Sequence, residues 1–153
     1  MKAIILISSI LYTSLSMASF LKQNGFELDN KKHKWKLVER VGNVYGTVLT
    51  GTIDDMSFTL NKAKLDGIPL GMNLKEFANK NKEVVGTKEE TYCRKFNKIE
   101  SCYYEVKEKS IYRYQLYFTH KRIAYSFTFS SPNKKSEILK KNSVQLIEAL
   151  IPL

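Results

Sequence analysis

From Ile111 to Thr119 and again from Arg122 to Ser130 the chain alternates apolar and polar residues with period two, which predicts two strands with one buried face each. Tyr112, Tyr114, Leu116 and Phe118 share a face of the first, and Ile123, Tyr125, Phe127 and Phe129 share a face of the second. A turn centred on His120-Lys121 sets Phe118 opposite Ile123, Leu116 opposite Tyr125, Tyr114 opposite Phe127 and Tyr112 opposite Phe129, so the apolar faces coincide. Side chains that all point one way read as the core face of a sheet rather than as a platform for stacked bases or sugars. His120 then falls at an exposed hairpin tip, where a lone histidine carries no functional implication.

Other hairpins flank this one. Val44 to Ile53 and Met56 to Asn61 pair around Asp54-Asp55, with Ile53 opposite Met56 and Leu49 opposite Leu60. The two aspartates belong to the turn, where their side chains bond locally, and are not a catalytic dyad. Trp35, Leu37 and Val41 add a further strand behind the solvated run Lys31-Lys32-His33-Lys34. A two-residue turn at Asn97-Lys98 sets Phe96 opposite Ile99, Lys95 opposite Glu100, Arg94 opposite Ser101 and Cys93 opposite Cys102.

Two stretches carry helical spacing instead. Asn73 is placed to cap the first, with Glu76 reaching back to complete a capping box, and Leu74, Phe77, Ala78, Val84 and Val85 form its apolar stripe before Gly86 ends it. The second runs from about Ser136 to Leu150 and presents Leu139, Leu146, Ile147 and Leu150 to a core, leaving Lys134, Lys135, Lys140 and Lys141 in solvent. The element order predicts an α+β fold: a twisted antiparallel sheet of about six or seven strands with two helices packed on one face.

Composition narrows the class. A chain of 153 residues with 43% hydrophobic residues and seven glycines suits one globular domain. Lys2, the apolar stretch Ala3 to Leu15 and the small-x-small sequence Ser16-Met17-Ala18 read as a secretory signal over residues 1–18, leaving a single domain over 19–153. No later run is long and apolar enough for a membrane span, so the mature chain carries no transmembrane segment. The net charge is +10, or +9 once the leader and its one lysine are removed. Such a charge asks for an acidic partner, and export to the periplasm or beyond disfavours nucleic acid against an acidic protein or, peripherally, an anionic envelope. In that oxidising compartment Cys93 and Cys102 close into a disulfide, a structural staple rather than a redox pair, because eight residues separate them and no histidine lies near.

Two resemblances bear on this reading. The segment Gly67-Ile68-Pro69-Leu70-Gly71-Met72-Asn73 resembles the Gly-Ile-x-Leu-Gly-Met-Ser opening of a helix in small exported domains similar to β-lactamase-inhibitor proteins and the small lipoprotein of outer-membrane assembly. Here Asn73 stands where Ser or Thr is usual, and the lipoprotein cysteine is missing. The closing hairpin and helix are similar to the Mog1/PsbP-like fold, another α+β sandwich of exported proteins. Both likenesses imply a noncatalytic protein that binds another protein, by analogy of fold alone.

The catalytic inventory is thin. The chain has two histidines and no zinc, phosphate-loop or nucleophile-elbow motif, so no metal, cofactor or catalytic residue is expected. The expectation is an exported non-enzymatic binding protein recognising an acidic protein partner, of which an inhibitor or immunity protein against a toxin or hydrolase is one form. Its surface is placed at the stapled hairpin tip, with Phe96 and Ile99 as apolar anchors and Arg94, Lys95 and Lys98 as charged contacts. The alternatives are a small envelope enzyme acting on an anionic polymer such as peptidoglycan, through two carboxylates distant in sequence, and a peripheral structural factor of the envelope.

Overall fold

The computed structural model describes residue 22 and residues 25–29, 35–39, 46–62 and 68–153. The expected leader, the Lys31–Lys34 run, Val41 and Val44 lie outside the described residues. The elements are β1 (Phe26–Leu28), β2 (Lys36–Glu39), β3 (Thr47–Ile53), β4 (Met56–Lys62), α1 (Leu74–Val85), β5 (Tyr92–Phe96), β6 (Ile99–Lys107), β7 (Ile111–His120), β8 (Ile123–Pro132), α2 (Ser136–Ala149) and β9 (Leu150–Pro152). The fold is α+β: seven strands form one antiparallel sheet in the order β2-β3-β4-β8-β7-β6-β5, and β1 pairs with β9 in a small second sheet.

The register of β7 and β8 decides where the core lies. The hairpin turns at Lys121-Arg122, whose φ angles of 48° and 66° are those of a type I′ turn, one residue beyond the expected His120-Lys121. Phe118 therefore faces Tyr125, Leu116 faces Phe127 and Tyr114 faces Phe129, two residues from the expected pairing. A slip of two leaves every side chain on its own face, so the aromatic face survives intact. It packs as a run of rings, with Phe118 and Tyr125 stacked at 5.2 Å and Phe127 and Phe129 at 5.2 Å. β4 adds Phe58 and Leu60 to the same face, and Trp35 closes edge-on against Phe58 at 5.2 Å while its indole N–H donates to the Asn142 carbonyl. Close approach is needed here: a Cβ on Gly51 would stand 2.9 Å from Cζ of the buried Phe58.

The helices do not share a face. α2 covers the aromatic face through Leu139, Leu146 and Ile147. α1 lies on the other side, where Leu74, Phe77 and Ala78 meet Cys102, Tyr104 and Val106 of β6 and Tyr117 of β7. The reason is in the strand parity. β6 alternates Cys102, Tyr104 and Val106 on one side with Ser101, Tyr103 and Glu105 on the other, so it is apolar where β7 contributes Tyr117 and not where it contributes Tyr114. Topology agrees, because β4 ends in the middle of the sheet and the chain must cross a face to reach β5 at its edge. This second apolar patch is only one helix wide, and Val84 at the far end of α1 is 89% exposed rather than part of the stripe. The capping box of Asn73 and Glu76 and the left-handed Gly86 at the C-terminus are as the spacing predicts.

His120 is the last residue of β7, not a loop residue. Its ring lies 4.6 Å from that of Phe26 in β1, and its Nε2 is buried with no hydrogen-bond partner among the described residues. Burial, aided by the charge of Lys121, holds its pKa below the ordinary value. A histidine depressed in the fold binds its proton more readily when unfolded, so its contribution is complete above the unfolded value of about 6.5 and is lost as pH falls through the lowered folded value. Urea unfolding should therefore show stability declining as pH is lowered from 7 towards 5, with a shallower slope in His120→Gln; equal slopes would remove His120 as the cause. Reduction to the Cys93→Ser/Cys102→Ser chain should lower unfolding free energy by about 2 to 3 kcal/mol, the loop-closure value for their separation of nine residues.

Candidate functional site

Beyond the end of the packed core, α2 and the β5–β6–β7 side of the sheet part to leave a cleft of about 600 Å³. Tyr92, Tyr103 and Tyr114 line it from the sheet, with ring centroids 5.8 Å apart for the first pair and 4.9 Å for the second. They come from neighbouring strands on the aromatic face, since Tyr92 pairs with Tyr103 and Tyr114 with Glu105. α2 supplies Glu137, Lys140, Lys141, Val144 and Gln145, a helical spacing that turns one of its stripes to the cleft.

Two cations behave differently in it. Lys140 is spent on an ion pair with Glu105, whose carboxylate also meets Lys107 at 3.6 Å. Burial pushes the Glu105 carboxyl upward, but Lys140, the Tyr112 hydroxyl and Lys107 outweigh it and hold the group below its ordinary value, so it stays ionised near neutrality. Burial raises the Tyr112 and Tyr114 phenols well above their ordinary range and keeps them protonated. Arg94, by contrast, forms no salt bridge among the described residues. Its guanidinium carbon lies over the Phe96 ring, 4.0 Å from the centroid, and 6.0 Å from that of Tyr103. Stacking fixes the group in position and leaves its N–H donors for an anion.

The residues expected at the hairpin tip separate here. Cys93 and Cys102 are joined by a disulfide that ties β5 to β6. Phe96 and Ile99 are 2% and 5% exposed, so neither is an anchor for a partner. They are core residues because the β5–β6 hairpin folds over the end of α2, with Asn97 Nδ2 donating to the Leu150 carbonyl. Lys95 and Lys98 are exposed, but Lys95 belongs to the face opposite Arg94, next in the pleat. Arg94 alone of that group enters the cleft. The tyrosines were within reach of the sequence: the register that pairs Cys93 with Cys102, extended by one residue, pairs Tyr92 with Tyr103.

No helix of the described residues is long and apolar enough to cross a membrane, and no three His, Cys, Asp or Glu side chains among them converge to hold a metal ion. The segment carrying the Gly-Ile-x-Leu-Gly-Met likeness is described from Ile68 onward and builds the turn and capped start of α1.

No family model matches the sequence, and no curated protein matches it. Solved structures do match in shape. The cyanobacterial PsbP protein CyanoP of Synechocystis has 12% identity and a TM-score of 0.56, with 86% of this chain and 88% of that one covered. A Bacteroides thetaiotaomicron protein has 15% identity and a TM-score of 0.55 over 84% of this chain and 45% of its own. A Pseudomonas aeruginosa protein of unknown function, PA94, has 7% identity and a TM-score of 0.50 over 82% and 87%. At such identities the likeness is one of fold alone, and that fold is PsbP/Mog1-like.

Proposed function

We propose that this protein is an exported, non-enzymatic binding protein that takes an acidic segment of a protein partner into the cleft between α2 and strands β5–β7. The observation that carries the reading is Arg94, laid on Phe96 and Tyr103 at the mouth of a tyrosine-lined cleft and in no ion pair among the described residues. Tyrosine and arginine are the residue types that most often dominate binding energy at protein interfaces, because they bring area and directional hydrogen bonds at little conformational cost. The net charge of +10 would speed the encounter, and Lys141 adds a second cation at the rim. Export is supported by the leader-like residues 1–18 and by the disulfide. An inhibitor or immunity protein is the form of such activity that a rigid, stapled binding edge serves best, and peripheral contact with an anionic envelope would draw on the same charge.

A second reading has one observation in its favour: Glu105 and Glu137 both line the cleft, as paired carboxylates do in enzymes that cleave polymers. Against it, both carboxylate oxygens of Glu105 are already engaged, one by Lys140 and the other by Lys107. Glu105 is better suited to fixing α2 against the sheet.

Retention of a partner from the envelope of the native cell tests the first reading. The wild-type chain should hold a protein through an acidic region and release it at raised salt, with retention falling about tenfold or more in Arg94→Glu/Lys141→Glu. Lys75→Glu on the exposed side of α1 serves as the charge control and should leave retention unchanged. Equal retention by all three, or degradation of peptidoglycan that Glu137→Gln abolishes, would overturn it. Separately, Lys140→Met should raise the Glu105 pKa, followed by carboxyl NMR titration; an unmoved titration would mean that Lys140 does not set its charge.

A further inference from the structure

The outer edge of β5 carries a more specific statement about how the partner is held. β5 ends the seven-stranded sheet, and no described strand pairs with its free side. Asn97 and Lys98, with φ of 43° and 70°, form a type I′ turn, which makes Phe96 and Ile99 a hydrogen-bonded pair. Alternation along an antiparallel ladder then makes Arg94–Ser101 and Tyr92–Tyr103 bonded pairs, and Lys95–Glu100 and Cys93–Cys102 non-bonded ones. The 4.1 Å between the Cα atoms of Cys93 and Cys102 fits the close, non-bonded type. The backbone N–H and C=O groups of Cys93 and Lys95 consequently point away from β6, towards solvent.

We propose that an extended acidic segment of the partner adds to the sheet alongside β5. Its backbone pairs with Cys93 and Lys95, and alternate side chains enter the tyrosine cleft beside Arg94. This rests on the binding reading above and names the mode of attachment. Charge selects the occupant, because β5 holds Arg94 and Lys95 and no acid, with Lys98 at the turn and Lys141 across the cleft. The pleat sends successive side chains of an incoming strand to Arg94 on one face and Lys95 on the other, so acids on either face find a cation. The same cations oppose a second copy of this chain, since edge-to-edge pairing of two β5 strands would bring like charges together. The disulfide holds the strand to β6 before binding, so little ordering remains to be done on association. β2, the other edge, has four residues and does not border the cleft.

The experiment uses a terminally blocked peptide of about eight residues alternating glutamate and valine, and the same peptide N-methylated on every second residue in each of the two frames. One frame removes the amides that face β5 and the other leaves them, so one methylated peptide should lose about tenfold or more in affinity and the other should bind like the parent. Lys95→Pro, which removes an outward N–H and no bond to β6, should lose binding to a similar degree while its thermal unfolding stays that of the wild type. Equal binding of both methylated peptides, with loss in Arg94→Glu, would overturn strand addition and leave the cleft reading standing. Failure of every peptide to bind the wild-type chain while it still retains its envelope partner would also overturn strand addition. Failure of both assays removes the two readings together. A dimer of the wild-type chain in sedimentation that Lys95→Pro abolishes would assign the edge to self-association and overturn the proposal.

Discussion

Everything in this fold depends on the alternation of the two long strands β7 and β8, which buries one face of the sheet as a run of stacked aromatic rings. Phe118, Tyr125, Phe127 and Phe129 are all but removed from water. Each such side chain contributes on the order of 1.5 to 3 kcal/mol by burial, so the choice of face outweighs any local preference in the chain. α2 has to cover that face, and the β1–β9 pair follows from it. β9 leaves the end of α2 directly, and Phe26 of β1 inserts its ring against Phe118 and Tyr125 at 5.8 and 5.0 Å.

The cleft is a consequence of the same constraint rather than an addition to it. The aromatic face continues past the reach of the apolar residues of α2, through Tyr114 to Tyr103 and Tyr92, as the sheet runs on towards β5. Phenylalanines there would leave a bare apolar patch. Tyr103 and Tyr92 can remain partly in water, because each offers a ring to pack and a hydroxyl to hydrate, while Tyr114 is buried. The helix answers with charge in place of leucine at those positions. Lys140 finds Glu105 across the gap, which spaces helix and sheet while removing one cation and one anion from availability. What is left facing the cleft from the sheet is an arginine over an aromatic ring, among phenols and in no ion pair among the described residues.

How much of this was readable from residues alone follows from what each signal measures. The capping box, the Gly86 stop and the Asn97-Lys98 hairpin are local, each set by a few adjacent side chains, and they are found where the spacing puts them. The β7–β8 register is off by two because period-two alternation is blind to a slip of two, and Lys121-Arg122 lacks the glycine or asparagine that usually marks a type I′ turn. The opposite placement of the helices escapes any single-element pattern. It depends on the parity of β6 relative to β7, which only their pairing reveals. For the same reason Phe96 and Ile99 read as surface anchors: alternation says that they share a side, and not that a helix end lies over it. The cleft needed two such long-range facts at once, the face of β5 and the stripe of α2.

Charge and strand pairing meet at β5 in a way that constrains how the site could have arisen. A long sheet with an open edge invites association, and a lysine on the edge is a common protection against it. In β5 the protecting cations, Arg94 and Lys95, sit on opposite faces of a strand whose outward amides lie at Cys93 and Lys95. The protection is therefore selective by charge: it repels basic chains, this one included, and leaves acidic ones free to approach. The cross-link to β6 sharpens that selectivity, because a fixed strand presents its donors and cations at set positions, whereas a frayed one could bend to suit many sequences. On the proposed mode of attachment, guarding the edge and choosing a partner are one arrangement of residues, so that changing Arg94 or Lys95 would bear on both.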